Sequence, residues 1–412
     1  MKIFTQYKGL KKENYILFLG RIVTNLGAMI WPMMTLILNK KLGLNAAETA
    51  SFIIVSGIMF LPANLVGGHL ADKYNKKRVI IYCDIVSIIL FVISGVMPLS
   101  FYSLCVLLVG ALFQTLEGPA YQALVAAITP ADKREKAFSL LYLGSNIGLI
   151  LSPTLAGFLF NDYLWLCFII SGLAISVSTV LIALFVKNPE SEEDEVISSD
   201  RNTEDNKEAD KQNILKIISA SKSLVLFIIA FSFYQGAYSQ FGYLMPLDIS
   251  MAYPENGSLI YGTVNSVNCI IVVLCTPLLT MLLEKMPLPK KYAFGTLLQT
   301  ISFGMFLLSF GVIAGYYASI IMFTLGEILT TVVIGAYLSE RVPENYRGRI
   351  YGVTSFSSAF MSGIVQYVSG SLFDEIGTEP AWVFSIVMTM IAVVASFILV
   401  RTDRKEFSNL YT

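Results

Sequence analysis

Charge is scarce in this chain: 14% of its 412 residues are Asp, Glu, Lys or Arg, against about 25% in an ordinary soluble domain. That scarcity excludes a freely soluble globular protein. The single histidine, His69, lies in a loop and reads as structural rather than as a proton relay. Five cysteines, Cys83, Cys105, Cys167, Cys269 and Cys275, all fall inside apolar runs without metal-ligand spacing, so they read as packing residues. No glycine-rich phosphate cradle ending in Lys-Ser or Lys-Thr is present, which argues against a nucleotide-driven pump. No serine, cysteine or metal constellation rises above chance, so neither an enzyme nor a cofactor or metal is expected. Basic and acidic residues balance at 29 each, and the basic ones are confined to particular loops, which gives no reason to expect nucleic acid.

What the chain has instead is hydrophobic length. Hydrophobic residues make up 55% of it and the mean hydropathy is +0.67, the composition of an integral membrane protein. The polar start, Met1 to Tyr15, precedes an apolar run that contains Arg21 and lacks a small-residue cleavage site, so no removed signal peptide is expected. A hydrocarbon core of about 30 Å needs roughly 20 apolar residues per helix. Twelve such windows fit, at roughly 14–38, 47–71, 79–99, 101–129, 137–160, 164–186, 223–247, 259–282, 292–312, 315–338, 350–373 and 380–400. The runs are continuously apolar rather than alternating, which excludes a membrane β-barrel.

Lysine and arginine accumulate on the cytoplasmic side of membrane proteins. Here they cluster before the first span, at 73–78, 133–136, 285–291, 341–349 and 401–405, and in the central linker. Lys40 and Lys41 break the pattern and Arg21 lies within a span, leaving 26 of 29 basic residues on one side. Both termini are therefore expected in the cytoplasm of a cell-membrane protein. The acidic stretch Asn188–Asn213 lacks aromatics and reads as a disordered tether, with Ile214–Lys222 as a short interfacial helix. The implied division is 1–187 as a six-helix bundle, 188–222 as linker, and 223–412 as a second six-helix bundle.

The two halves repeat. Gly68-His69-Leu70-Ala71-Asp72-Lys73-Tyr74-Asn75-Lys76-Lys77-Arg78 sets a glycine at a helix end, an acid four residues on and a basic cluster after a tight turn. A degraded copy runs from Thr280 through Glu284-Lys285 to Lys290-Lys291. At an offset of 213 residues, Ala123 through Pro130 and Arg134 match Ala336 through Pro343 and Arg347, and Ala156 to Asp162 match Ser369 to Glu375. Pro32 similarly meets Pro246. Six-plus-six parallel repeats, with a site near the midplane and alternating access, are a transporter architecture.

These residues resemble the major facilitator superfamily, most closely its bacterial drug:proton antiporter branch. Gly68 to Lys77 is similar to the superfamily's signature between spans two and three, with Asn75 where a glycine is usual; asparagine also tolerates a left-handed backbone. The resemblance implies a latch at Gly68, Asp72, Lys73, Lys76, Lys77 and Arg78. In span five, Asn146-Ile147-Gly148 and Ser152-Pro153-Thr154-Leu155-Ala156-Gly157 resemble the antiporter motif, although small residues at this spacing also serve helix packing. In the family this helix packs against span eight. The arginine usual within span four is missing; Glu117 is there instead.

A charge at the bilayer centre costs at least about 2.5 kcal/mol, so an intramembrane ionisable residue is a functional candidate. Arg21, Asp84, Glu117 and Glu327 qualify. The resemblance places spans one, four, seven and ten around the central cavity. A neutral carboxylic acid is far cheaper to hold in low dielectric than a carboxylate, which makes Glu117 and Glu327 candidates for carrying protons or meeting a cationic substrate. The alternative for Glu117 is that it neutralises Arg21. Asp84, six residues past Arg78, is expected to pair with that basic cluster and belong to the latch. Asn25, Trp31, Gln114, Tyr234, Gln235, Tyr238, Gln240 and Tyr243 offer amides and aromatic rings that suit amphipathic cations; Tyr243 is expected in the interfacial aromatic belt.

The implied function is proton-coupled export of hydrophobic, cationic small molecules by a monomer, with the lipid bilayer, substrate and protons as partners. A major facilitator carrier of one metabolite, peptide, sugar or lipid, or a membrane receptor that moves nothing, are the alternatives. Deleting part of Asn188–Asn213 separates transporter from scaffold. A transporter is expected to keep moving substrate in a cell-based efflux assay, whereas loss of a signalling output with no transport at any stage would identify a scaffold.

Overall fold

A computed structural model describes residues 8–130, 133–187, 218–342 and 344–411. The acidic linker and the start of its candidate interfacial helix lie outside the described residues. Among the described residues there is no strand. Twelve long helical segments follow one another: α1 (Lys12–Lys41), α2 (Ala46–Lys73), α3 (Lys76–Val96), α4 (Phe101–Ile128), α5 (Arg134–Leu159), α6 (Leu164–Phe185), α7 (Lys222–Ala252), α8 (Gly257–Leu282), α9 (Leu288–Leu307), α10 (Ile313–Arg341), α11 (Glu344–Glu375) and α12 (Thr378–Glu406). Ten are long and apolar enough to cross a membrane. The other two, α9 and α11, are long enough but diluted by polar residues, including Lys290 and Lys291 in α9 and a run of serines in α11. The chain is thus an all-α, multi-pass membrane protein with the twelve-helix architecture that the apolar windows imply.

The described helices fall into two compact units, Met1–Gly43 with Phe52–Asp205 and Leu44–Ser51 with Asn206–Thr412. The first turn of α2 counts with the second unit: Asp374 accepts the Ala46 and Ala47 backbone N–H groups at 2.9 Å each, and Tyr243 donates its hydroxyl to the Ala46 carbonyl at 2.5 Å. Two bare amides at a helix start are thereby satisfied by one carboxylate. Tyr243 is fully buried, so it is no belt residue; its hydroxyl is spent on a helix end.

The first helix of each repeat is broken. In α1 the α-helix Lys12–Leu26 stops at Gly27, resumes over Ile30–Leu36 and ends in a π turn, Ile37–Lys41. In α7 the helix Lys222–Tyr238 passes through a 3-10 turn, Ser239–Phe241, and resumes over Leu244–Ala252. Pro32 and Pro246 each occupy the third residue of the resumed helix, where a missing N–H leaves no bond unmade. At the break in α1 the Gly27 carbonyl accepts the Ser171 hydroxyl at 2.5 Å beside the Met29 N–H at 2.7 Å, and before the break in α7 the Gln235 carbonyl accepts Ser362 at 3.1 Å beside the Ser239 N–H. Interruptions survive in hydrocarbon only where the freed backbone groups find such partners.

Small residues set the closest helix contacts. A Cβ on Gly148 would stand 2.4 Å from the Ile22 carbonyl oxygen, so the motif's glycine in α5 seats that helix directly on α1. In the second unit Gly295 of α9 and Gly326 of α10 face each other, each within 3 Å of the other's carbonyl oxygen if a methyl were added. In lipid, where no hydrophobic force drives helices together, such close backbone approach is what dispersion contacts require.

The second unit is also tied by a buried ion pair at the end of α12. Arg341 donates Nε and Nη2 to the two oxygens of Asp403 at 2.7 and 2.8 Å, and Tyr337 and Tyr411 donate to the same carboxylate at 2.9 and 2.6 Å. Asp403 is 0% exposed and Arg341 7%. The charge pattern counts Arg341 as a solvated loop cation; its guanidinium instead lies inside, over the Tyr337 ring at 4.2 Å.

The repeat motif's glycine is displaced by one. Gly68 faces open space, whereas a Cβ on Gly67 would stand 2.4 Å from the Leu116 carbonyl oxygen of α4. Gly67→Ala is therefore expected to destabilise the purified protein by about 1–3 kcal/mol, the usual scale of overpacking. Gly68→Ala should leave its melting temperature unchanged or slightly raised. Thermal unfolding followed by size-exclusion chromatography checks the contrast.

Candidate functional site

The loop between α2 and α3 is built by its side chains. Asn75 does not adopt a left-handed backbone: its φ is −57° and its side chain accepts the Arg78 N–H at 3.1 Å. It is the N-cap of α3, a role that asparagine fills because its amide oxygen satisfies an otherwise bare donor. Lys77 turns the other way and donates Nζ to the Ala183 and Val186 carbonyls, at 2.8 and 2.7 Å, a cation at the carbonyl end of α6. Lys73 and Lys76 flank the turn, with the Lys73 Nζ 5.6 Å from the Tyr74 ring centre. Asp72 and Arg78 are exposed.

Asp84 has left that cluster. Six residues separate it from Arg78, which on a helix places the two about 120° apart, and α3 turns Asp84 into the first unit. There it is 4% exposed and accepts the Thr179 hydroxyl of α6 at 2.6 Å. It lines one small cavity of about 20 Å³ with Arg21, Gln114, Glu117 and Tyr121, enough for about one water. Arg21 lies over the Tyr121 ring, 4.2 Å from its centre. Among the described residues Arg21 forms no ion pair within 4.0 Å, so the direct Arg21–Glu117 pair considered from sequence is not made. One guanidinium faces two carboxyl groups across a water-sized gap and cannot neutralise both. Gln114 and Thr24 continue into a second cavity of about 40 Å³ that reaches Trp31 and Ser171. Asn25 donates its amide to the Arg21 carbonyl at 2.9 Å, and Asn146 likewise to Tyr142. Pro153 is carried inside continuous α5 and Gly157 is buried in the same helix.

In the second unit Glu327 is the centre. Tyr238 of α7 donates to its Oε1 at 2.7 Å and Asn268 of α8 to its Oε2 at 2.7 Å. Asn268 also donates to Thr324 at 2.9 Å, which fixes the amide's orientation. One turn on from Glu327, Thr330 meets the Tyr234 hydroxyl at 2.5 Å. Aromatic rings gather around its donor Tyr238: Phe241 and Phe323 lie 6.4 and 5.4 Å from it between centres and 5.1 Å from each other, and Tyr234 lies 6.1 Å away. Gln235 is half-buried beside them, and Gln240 is fully buried, accepting Ser369 at 3.0 Å. Both hydrogen-bond donors to Glu327 are neutral, so the group can take or release a proton without breaking an ion pair.

Two members were missed from sequence. Asn268, together with Asn265 three residues before it on α8, was legible: the rule that polar groups in a span are costly applies to amides as well as to charges. Asp248 escaped because the seventh window stopped one residue short of it, while α7 runs on to Ala252. Asp248 is fully buried and accepts Tyr316 at 2.5 Å and the Thr378 hydroxyl at the start of α12.

Twelve helices with two inward polar centres define a polytopic membrane transporter. The sequence model for the Major Facilitator Superfamily matches residues 17–366, and the chain belongs to that superfamily. It is 22% identical over 353 residues to a Na(+), Li(+), K(+)/H(+) antiporter of Planococcus maritimus, covering 79% of this chain and 81% of the relative. It is 22% identical over 389 residues to the uncharacterized MFS-type transporter YqjV of Bacillus subtilis, covering 92% and 91%. The quinolone resistance protein NorA of Staphylococcus aureus is 27% identical over 155 residues, 36% of this chain and 39% of NorA. A solved POT family transporter in complex with a thioalcohol-conjugated peptide superposes with a TM-score of 0.74 at 14% identity, covering 95% of this chain and 96% of that one. At that identity it shows the shared fold alone.

The first-unit cavity carries a direct test. Arg21→Gln leaves two carboxyl groups without their nearby cation and is expected to destabilise the protein, by less than the ~3–5 kcal/mol of a broken buried ion pair, because no direct pair is made. Glu117→Gln in the same chain should restore part of the loss. Folded yield and melting temperature of the single and double variants measure the coupling; no recovery would show that the two groups do not interact.

Proposed function

We propose that this protein is a proton-coupled secondary transporter that exports hydrophobic, cationic small molecules by alternating access, with Glu327 as the acid that binds proton and substrate in turn. The observation that carries this reading is the Glu327 constellation, a carboxyl group that accepts from Tyr238 and Asn268 and, among the described residues, pairs with no cation, with its donor Tyr238 set in a cluster of stacked aromatic rings. A neutral acid suits apolar surroundings, whereas a carboxylate needs a cation there. Proton and organic cation therefore compete for one group, which is the requirement for exchange. Aromatic faces add cation–π attraction of about 0.5–2 kcal/mol. The names of two relatives, an antiporter and a quinolone resistance protein, point the same way. The bias of basic residues toward alternate loops supports a cytoplasmic side for both termini.

A second reading is exchange of monovalent metal cations for protons. It is favoured by the relative named for Na(+), Li(+) and K(+), which covers most of this chain, and by the two carboxyl groups of the first unit, Asp84 and Glu117. The aromatic cluster around Tyr238 is of no use to a hydrated alkali cation, which ranks this reading second.

Proteoliposomes with an imposed pH gradient decide between them. Wild-type protein is expected to move a lipophilic dye cation against its gradient, Glu327→Gln to lose the response to pH, and Tyr238→Phe to bind the dye about 10-fold more weakly, the value of one hydrogen bond to a charged group. A Glu327→Gln protein that follows the pH gradient like wild type would remove that residue from coupling. Movement of Na⁺ or K⁺ without dye would select the second reading.

A further inference from the structure

At the end of the first unit away from the α2–α3 turn lies a cleft of about 590 Å³ that neither transport reading uses. Lys41, Val96, Leu99, Asp162, Trp165 and Ile169 line it. Lys41 is one of only two basic residues that break the charge asymmetry of the loops, so its cation is misplaced unless something there needs it. The lysine ends a π turn, Ile37–Lys41, that closes α1, a distortion frequent at functional sites. Lys41 Nζ is then steadied by the Asn161 carbonyl at 2.8 Å and lies 5.2 Å from the Phe160 ring centre. An ammonium has three donors, and the carbonyl occupies one.

The rest of the cleft matches one kind of molecule. Asp162 supplies an exposed carboxylate beside the lysine, a pair of opposite charges at the level of helix ends, where lipid headgroups lie. The cleft also has an apolar lining from α3 and α6: Val96 is 73% exposed and Trp165 51%, with Ile169 alongside. Tryptophan at this level is the residue expected at the headgroup boundary. A molecule with an anion, a hydrogen-bonding cation and a long apolar tail fits all three parts.

We propose that this cleft binds a membrane phospholipid whose headgroup carries a primary amine, with the phosphate on Lys41, the ammonium on Asp162 and one acyl chain along Val96, Trp165 and Ile169. A quaternary headgroup could not donate to Asp162, a headgroup without an amine would leave that carboxylate opposite its own phosphate, and free phosphate would not use the apolar lining.

The test is binding to the full chain, and it does not depend on transport. The detergent-purified protein is titrated with phosphatidylethanolamine, phosphatidylcholine and phosphatidylglycerol, and bound lipid is counted by native mass spectrometry. Wild type should retain phosphatidylethanolamine about 10-fold better than phosphatidylcholine. Asp162→Asn should abolish that preference, Lys41→Ala should weaken both lipids, and Lys41→Arg should keep binding even if the alanine variant folds poorly. Equal retention of the three lipids, no change in Asp162→Asn, or displacement of lipid by millimolar inorganic phosphate would each overturn the proposal.

Discussion

A carboxylate taken out of water must be given donors, and how those donors are charged decides what the group can then do. The second unit solves this problem three times. Asp403 receives a bidentate guanidinium and two phenols; a group so held is fixed as an anion and serves as a clamp. Asp248 receives two hydroxyls where α12 begins, a site that the positive end of a helix also favours. Glu327 receives one phenol and one amide and no cation. Among the described residues neither Asp248 nor Glu327 pairs with a cation, and of the two it is Glu327 that lies away from a helix start.

The first unit distributes its charges differently. A single guanidinium, spread over an aromatic face, shares a water-sized cavity with Asp84 and Glu117. The repeated sequence produces the same helix order, the same proline-marked break in the first helix, and acid-then-base turns, yet the polar centres are unlike. Glu117 and Glu327 are not equivalent positions, and each is surrounded by residues the other half lacks. Duplication has kept what folds the chain and let go of what its cavities hold.

Most of the fold was legible because hydrophobic length is summed over many residues and tolerates local exceptions. Ten of the twelve spans keep their length and apolarity in the structure, and α9 and α11 keep their length. The sites were read with less success because contact depends on helix phase and on hydrogen bonds between distant segments. Asp84 lay close to Arg78 along the chain, but six residues turn it to another face. Gly68 matched a motif while Gly67 made the contact. Asn75 was read as a turn residue and is a cap, since the same side chain serves either purpose and only φ distinguishes them. The charge of Glu327 marks it in the sequence, whereas its amide partner Asn268 carries no charge and is marked by polarity alone.

Lys77 joins the α2–α3 turn to the last carbonyls of α6, Ala183 and Val186, and the described stretch of the first unit ends one residue after Val186. In mechanical terms the exit point is moored. Tension applied to the chain beyond Lys187 is borne first by a lysine bridge onto the basic turn, before any turn of α6 has to unwind.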